Sequence, residues 1–233
     1  ERTWRDRTDG PDGAPYTVRL KLPVDGTITL HDTVLGDITK ANDDLDDFII
    51  LRSDGSPTYN FVVVCDDVAM NVNYVVRGQD HVDNTFRQMH LYGSLGAAVP
   101  RFAHLPLIDG LSKRKGSASV QHYRDQGFLR EAVINYVARL GWSSGDQEIF
   151  TVDELIERFD LADVNAGSGR YDDDKFAWVN TQWMKQLPTA EVAARALPFL
   201  HDAGYAGQVT PALLWLVEAL QPRAATLCEL ATQ

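Results

Sequence analysis

The chain has 233 residues and a formal net charge of −11, with 44% hydrophobic and 24% charged residues, a composition typical of a soluble globular protein. Because phosphate backbones repel an acidic surface, this charge excludes general nucleic-acid affinity and leaves such contacts to local basic patches. No apolar run approaches the ~20 residues that span a bilayer, and Cys65 and Cys228 give neither a zinc spacing nor a disulfide framework. We therefore expect a cytoplasmic protein of one large or two small domains.

The first quarter of the chain predicts a small, mostly antiparallel β region. Residues 16–22 alternate between polar and apolar side chains, as a half-buried strand does. Three more short strands are predicted at residues 27–31, 34–39 and 48–52. Turn sequences rich in Asp, Gly and Pro separate them.

The next part of the chain predicts half of a Rossmann-like unit. A short β-branched strand at residues 74–76 is followed by a helix over residues 83–95 and a buried strand over residues 102–108. The first strand runs directly into Arg77-Gly78-Gln79-Asp80-His81. Open α/β sheets bind ligands at the carboxyl ends of such strands, so these polar groups are candidate binding residues.

Several of these side chains have both a functional and a structural explanation. The adjacent carboxylates Asp66 and Asp67 could hold a metal or serve as general acids, although acids that cap a helix end are commoner. His81 could be a ligand, but a lone histidine is more often a packed or surface side chain. Arg77 could bind a carboxylate of a ligand, or it could form a structural ion pair with Asp80.

A cluster of cations follows the second strand. Leu111-Ser112-Lys113-Arg114-Lys115-Gly116 comes just after Asp109-Gly110 and suits a flexible loop that meets phosphate. Lysine would act as a mobile point charge and arginine as a planar fork for phosphate oxygens. Most Lys-Arg-Lys clusters are solvated surface, so the cluster alone leaves both explanations open.

The remainder of the sequence predicts helices. Ser117-Ala118-Ser119 can cap a short helix that ends at Tyr123, and Thr151-Val152-Asp153-Glu154 is a capping-box pattern. Helices are predicted at residues 129–140, 151–158, 172–185, 189–200 and 210–220. Trp178 and Trp183 could stack on bases, although core packing is the commoner role of such aromatics.

Four motifs occur in order along the chain. They are Leu51-Arg52-Ser53-Asp54-Gly55-Ser56-Pro57-Thr58-Tyr59-Asn60, Val75-Val76-Arg77-Gly78-Gln79-Asp80-His81, Phe102-Ala103-His104-Leu105-Pro106-Leu107-Ile108 with Leu111-Ser112-Lys113-Arg114, and Tyr136-Val137-Ala138-Arg139-Leu140-Gly141-Trp142-Ser143. Together they resemble the glutamyl-tRNA synthetases, a class I aminoacyl-tRNA synthetase family, and the cationic loop resembles its K-M-S-K-S-type signature. The resemblance covers nearly the whole chain and thins after about Leu187.

The resemblance implies an α/β fold: the second half of a Rossmann-like nucleotide-binding fold with a small β-rich insertion, followed by an all-helical stem-contact region. The implied domains are a β-rich connective, acceptor-end binding region at residues 1–57, the Rossmann-like half at residues 58–110, the signature loop and stem-contact domain at residues 111–187, and the start of a helical anticodon-binding region at residues 188–233. The sequence contains no H-I-G-H-like tetrapeptide and no first strand–helix of a nucleotide fold. We therefore expect an internal portion of a longer enzyme.

The resemblance also implies an activity, that of a glutamate–tRNA ligase. Such an enzyme uses ATP, with Mg²⁺, to form glutamyl-adenylate from L-glutamate and then transfers the glutamyl group to the 3′ end of tRNA(Glu). The full enzyme is expected to be a monomer, and the portion given by this chain could self-associate.

By resemblance, Lys113 stabilises the departing phosphates and binds ATP, while Ser112 and Arg114 hold the loop and supply further donors. The residues implied to bind glutamate are Tyr59, Arg77 and Asp80. No metal ligand is assigned.

Three departures from the family pattern keep an alternative open. Asp109-Gly110 stands where the family usually has a longer loop with a lysine before the leucine, Val68 stands where histidine is frequent, and Asn71 where glycine is common. The alternative is a non-catalytic or altered-specificity tRNA-binding relative that has lost the activation chemistry. The least specific interpretation is an α/β piece without a separate function.

Overall fold

The computed structural model describes residues 5–7, 9, 10, 12–111 and 119–233. The chain divides into two compact units, of which the first ends at Leu107 and the second begins at Ile108. Each unit contains its own hydrophobic core. Among the described residues, no helix has the length and apolar character needed to cross a membrane.

The first unit contains two small sheets. Its strands are β1 (Val18–Arg19), β2 (Thr27–Asp32), β3 (Gly36–Ala41), β4 (Ile49–Leu51), β5 (Tyr74–Gly78) and β6 (Arg101–Leu105). Strands β1 and β4 pair antiparallel, while a four-stranded sheet has the order β3-β2-β6-β5. Within it β2 and β3 form an antiparallel hairpin, and β6 runs parallel to both β2 and β5.

The strands predicted in the first quarter of the chain are thus present, but they are divided between the two sheets. Only β1 and β4 stay apart from the Rossmann-like strands. The β2–β3 hairpin extends the parallel sheet, since β2 lies beside β6 with Asp32 opposite Phe102. This pairing joins residues 70 positions apart, and local sequence patterns do not encode such pairings.

Two helices complete the first unit: α1 (Tyr59–Ala69) and α2 (Val82–Ser94). Short 3₁₀ helices lie at Asn42–Asp44 and Gln79–His81. Helix α2 buries Phe86, Leu91 and Tyr92, which recur at the predicted helical spacing. It ends where Gly96 takes a positive φ of 67°, a conformation that glycine adopts without steric cost.

The prediction of one strand over residues 102–108 is wrong in its extent. Strand β6 ends at Leu105, and Ile108–Asp109 form a separate short strand, β7, in the second unit. There β7 pairs in parallel with β8 (Gly169–Arg170). Pro106 accounts for the break, because it has no N–H to donate to the ladder.

In its described residues, 108–111 and 119–233, the second unit has helices and the β7–β8 pair as its regular elements. Its helices are α3 (Val120–Asp125), α4 (Arg130–Arg139), α5 (Val152–Arg158), α6 (Asp173–Gln186), α7 (Thr189–Asp202), α8 (Pro211–Leu220) and α9 (Leu227–Thr232), with a 3₁₀ turn at Leu161–Asp163. Helices α4 and α6 pack together, as do α7 and both α8 and α9. Trp183 on α6 is buried and donates to Asn135, so core packing is its role, whereas Trp178 is 44% exposed.

The helix starts follow the predicted caps with one exception. Thr151 and Glu154 form the complete capping box of α5, and Thr210 caps α8 with Pro211 in its first turn. Ser119 is the N-cap of α3 by position, but its side chain makes no cap hydrogen bond. The prediction of a serine cap at this helix is therefore wrong for Ser119, and residues 117 and 118 lie outside the described residues.

Candidate functional site

The candidate site is built on the two parallel strands β5 and β6. In their register Arg77 lies opposite His104, near the carboxyl end of each strand. Neighbouring side chains of two paired strands project to the same face of the sheet. The register therefore places the guanidinium beside the imidazole at the edge where open α/β sheets bind ligands.

Neutral groups hold the half-buried Arg77 side chain. Its Nε donates to His104 Nε2 at 3.2 Å, and its Nη2 donates to Thr85 Oγ1 at 2.5 Å and to Gln88 Oε1 at 2.8 Å. Thr85 and Gln88 lie on α2 and are buried. The guanidinium plane is therefore fixed from two sides, by β6 and by α2. Nη1 makes no hydrogen bond to the residues that the structure describes and can face a ligand.

The alternative of a structural Arg77–Asp80 ion pair is wrong. Among the residues that the structure describes, Arg77 has no carboxylate within ion-pair distance. Burial lowers the pKa of Arg77, while the carboxylates of Asp67 and Asp80 act in the opposite direction. Arginine remains protonated at neutral pH in such surroundings, so the site carries a partly desolvated cation.

His104 is completely buried and is held by Asp32 at the end of β2. Its Nδ1 lies 2.6 Å from Asp32 Oδ2, and its backbone N–H donates to both Asp32 oxygens at 3.1 Å. Asp32 also accepts the backbone N–H groups of Val34 and Leu35, at 3.0 and 2.9 Å. The Asp32 carboxylate thus closes the turn between β2 and β3 and also accepts the backbone N–H of His104 on β6.

The pKa values of both members of this pair are shifted downward. Burial raises the pKa of Asp32, but its hydrogen bonds from Leu35, His104 and Val34 outweigh burial and lower it overall. Burial lowers the pKa of His104, assisted by the nearby Arg77 and His81 and opposed by Asp32. A carboxylate beside a neutral imidazole is therefore the favoured state.

A second branch of the network leads to the start of α1. Gln88 Nε2 donates to Asn60 Oδ1 at 3.0 Å, and Asn60 follows Tyr59 in the first turn of that helix. Tyr59 is 51% exposed, and its ring centroid lies 6.0 Å from that of His81. Gln88 therefore links Arg77 to the first turn of α1 through hydrogen bonds to both.

Asp80 lies in the 3₁₀ turn after β5 and is exposed. Its Oδ1 would be 2.5 Å from a Cβ placed on Gly78, so the absence of a side chain there gives the carboxylate its place. Its Oδ2 lies 3.8 Å from His81 Nε2. The structure thus places Tyr59, Arg77 and Asp80 around the first turns of α1 and the carboxyl end of β5.

The paired acids of α1 do not cap that helix. Asp66 and Asp67 lie in its last turn, where the helix dipole disfavours anions. Asp66 is exposed, whereas Asp67 Oδ2 accepts the Tyr92 hydroxyl at 2.8 Å. Burial and this bond to Asp67 raise the pKa of Tyr92.

The predicted phosphate-contacting residues Ser112, Lys113 and Arg114 lie outside the described residues. Within the described part of the chain, no group of three or more His, Cys, Asp or Glu side chains could hold a metal ion.

The sequence reasoning missed the residues that hold Arg77 in place: Asp32, Asn60, Thr85, Gln88 and His104. One signal was present, because His104 is a polar residue inside an otherwise apolar strand sequence. Buried polar side chains are almost always hydrogen-bonded, so a partner could have been expected. Asp32, 72 residues away, gave no such signal.

Residues 3–178 match the family model described as the catalytic domain of class I tRNA synthetases (E and Q). The chain is 48% identical over 234 residues to the glutamate–tRNA ligase of Nitrosomonas europaea and 47% identical over 226 residues to that of Citrifermentans bemidjiense. These alignments cover 98% and 94% of the chain but 50% and 48% of the relatives. The chain thus spans about half the length of the curated relatives it matches.

Solved structures give the same result. The fold matches a glutamate tRNA ligase from Elizabethkingia meningosepticum, crystallised in complex with its amino acid, with a TM-score of 0.83 at 31% identity. This match covers 94% of the chain and 48% of the solved structure. The glutamate-tRNA synthetase of Elizabethkingia anophelis matches with a TM-score of 0.82, also at 31% identity, over 94% of the chain and 49% of that structure.

Proposed function

Because the chain belongs to the class I tRNA synthetases for glutamate and glutamine, we propose that it acts within a glutamate–tRNA ligase. In that enzyme it would contribute to ATP-dependent activation of glutamate and to transfer of the glutamyl group to tRNA(Glu). The relatives and structures that it resembles carry the name glutamate–tRNA ligase, which supports glutamate as the amino acid. ATP, L-glutamate and tRNA are the partners that this function requires.

The observation that carries the proposal is the state of Arg77. A half-buried guanidinium held by three neutral acceptors, without a carboxylate among its described partners, is a site for an anion. Glutamate has two carboxylates, and one of them would neutralise the charge of Arg77 through Nη1. Tyr59 and Asp80, which border the same strand end, would complete the glutamate site. The Asp80 carboxylate suits the substrate ammonium.

The loop that contains Ser112, Lys113 and Arg114 would serve the phosphate side of the reaction. Attack of the glutamate carboxylate on the α-phosphorus expels pyrophosphate, so negative charge grows on the departing phosphates. Preorganised cations stabilise that charge, and Lys113 is the residue to which we assign this role. Magnesium would accompany ATP, since this ion is usually bound through substrate phosphates together with one or two carboxylates.

The alternative of a relative without activation chemistry has less support. The high identity to ligases over nearly the whole chain favours a retained activity. The half-buried cation of Arg77 favours it as well, since activation of glutamate requires a site for a substrate carboxylate.

The test is the substitution Arg77→Lys in a hybrid ligase. The hybrid is the Nitrosomonas europaea enzyme whose aligned half is replaced by this chain. A lysine ammonium has three donors and cannot make the three internal bonds and a ligand bond together. We expect the Michaelis constant for glutamate in pyrophosphate exchange to rise at least about tenfold, the loss expected for one charged hydrogen bond.

The matched control is Arg87→Lys, on α2 between Thr85 and Gln88 but outside the network. It should leave the glutamate dependence unchanged. If Arg77→Lys lowers the thermal midpoint and leaves the Michaelis constant for glutamate at its original value, Arg77 is structural and the glutamate site lies elsewhere.

A further inference from the structure

We propose that His104, held by Asp32, is a positioning residue for Arg77 and makes glutamate binding sensitive to the protonation of a buried imidazole. The inference rests on the proposed function of Arg77 as a carboxylate-binding residue. It adds two residues, on β6 and at the end of β2, that do not touch the amino acid but determine how the guanidinium is presented.

The tautomer of His104 follows from its two partners. Asp32 is a carboxylate and can only accept, so the proton of a neutral His104 lies on Nδ1, 2.6 Å from Asp32 Oδ2. Nε2 then carries a lone pair, which is what the Nε–H of Arg77 requires at 3.2 Å. The reverse tautomer would set an N–H against the N–H of arginine.

His104 differs from the other two partners of Arg77 in one respect. Thr85 and Gln88 are neutral acceptors at every accessible pH, whereas an imidazole that takes a second proton becomes a donor and a cation. Protonated His104 would repel Arg77 and release its Nε. The guanidinium would then keep contacts only through Nη2, about which its plane can turn.

The charged and titratable groups near His104 are Asp32, Arg77 and His81, which lie on three different elements. Asp32 on β2 favours the protonated form, while Arg77 on β5 and His81 in the 3₁₀ turn oppose it. Thr85 on α2, 3.0 Å from Nε2, is uncharged. Burial, together with Arg77 and His81, prevails over Asp32, so the pKa of His104 lies below its ordinary value.

The lowered pKa of His104 also makes the stability of the fold depend on pH. Because the folded protein binds this proton less readily than the unfolded chain, the contribution of His104 is fully present above the unfolded-state pKa of about 6.5. It is lost as pH falls from there through the lower folded-state pKa. Glutamate affinity should fall over the lower part of this range, where folded His104 becomes protonated.

The first test is nitrogen-15 NMR of the histidine rings in the unmodified chain, with His104 assigned by the signal that His104→Asn removes. We expect an Nδ1–H tautomer at neutral pH and protonation at a lower pH than that of an ordinary histidine. A ring that carries its proton on Nε2, or that is doubly protonated at neutral pH, cannot accept from Arg77 and would overturn the inference.

The second test uses two substitutions of His104 in the hybrid ligase. The amide of His104→Asn lies near the position of Nδ1 and can still donate to Asp32, but it leaves Arg77 Nε without an acceptor. The amide of His104→Gln lies near the position of Nε2 and offers Arg77 an oxygen, without the bond to Asp32. These variants separate the two contacts of the ring.

We expect His104→Asn to raise the Michaelis constant for glutamate about tenfold with little change in the maximal rate or the ATP dependence, as loss of a bond to a charged group predicts. His104→Gln should stay within about threefold of the parent, since it keeps that bond. Below neutral pH the parent should lose glutamate affinity more steeply than His104→Gln, which has no titrating group at this position.

Equal effects of the two variants, or identical pH profiles, would overturn the positioning role and leave His104 as a core residue. Failure of the proposed function looks different. If Arg77→Lys leaves the glutamate dependence unchanged, the glutamate site and this inference both fail. If Arg77→Lys raises the Michaelis constant and His104→Asn does not, the function stands and only the inference fails.

Discussion

Among the described residues, the hydrogen-bond acceptors of the Arg77 guanidinium are all neutral, and this determines what it can bind. Three acceptors satisfy Nε and Nη2 without neutralising the cation. Removing a charge from water costs several kcal/mol, roughly, unless an opposite charge compensates. A carboxylate that arrives at Nη1 therefore gains both a charge-assisted hydrogen bond and relief of this cost.

The residues proposed to contact the ligand could be predicted from the sequence, whereas the residues that position them could not. Arg77 and Asp80 follow a strand directly and could be recognised locally. His104 and Asp32 come together only because β2 and β6 are neighbours in the sheet, 72 residues apart in the chain. Such pairings depend on the whole fold, which local periodicity does not encode.

The first residue-scale prediction concerns Lys113. In the hybrid ligase Lys113→Ala should lower the maximal rate of pyrophosphate exchange by about 10²-fold or more, the usual effect of losing a preorganised electrostatic contact. The Michaelis constant for glutamate should change little, because the charge it stabilises develops mainly in the transition state.

Lys115→Ala is the matched control for this experiment, since it removes the same charge from the same stretch of sequence. It should retain most of the exchange rate. A maximal rate that is unchanged in Lys113→Ala, or lowered equally in both variants, would remove the specific role of Lys113 and leave the loop as a general basic surface.

At the scale of elements, prediction succeeded where the signal was local. The helices α2, α4, α6, α7 and α8 occur close to their predicted bounds, because amphipathic spacing and caps are properties of the segment itself. The short helix α9 was not predicted. It has six residues, which is too short for an amphipathic pattern to be recognised, although Thr226 caps its first turn.

The capping box of α5 gives a prediction for a single element. Thr151→Ala should destabilise the second unit by about 1 kcal/mol, because it leaves a backbone N–H of the first turn without its acceptor. The effect should be visible as a lower midpoint in urea denaturation followed by circular dichroism, with an unchanged slope.

Ser119→Ala is the control for the capping experiment. Ser119 occupies the N-cap position of α3 but makes no cap hydrogen bond, so its loss should cost a few tenths of a kcal/mol at most, roughly the size of an uncapped surface change. Equal destabilisation by both substitutions would show that the Thr151–Glu154 bonds contribute nothing beyond intrinsic N-cap preference.

At the scale of the whole molecule, the two units differ in how their cores are formed. The core of the first unit joins side chains from its strands with those of α1 and α2, whereas the core of the second comes mainly from helices α3, α4 and α6 to α9. The first also has an open sheet edge, because among the described residues β5 pairs only with β6. Val76 on that strand is 45% exposed. Unpaired edges favour association with another strand.

The last prediction concerns the chain as an isolated protein. It spans about half the length of its ligase relatives and contains no H-I-G-H-like tetrapeptide, the motif that the family resemblance associates with adenosine binding. We therefore expect no ATP–pyrophosphate exchange from the 233-residue chain and clear glutamate-dependent exchange from the hybrid ligase. The isolated chain should also self-associate with rising concentration in analytical ultracentrifugation. Val76→Lys should weaken this association, because a charge on an edge strand disfavours strand pairing. Robust exchange by the chain alone would show that it binds adenosine through residues not yet recognised. An inactive hybrid with intact folding would instead favour the relative that has lost activation chemistry.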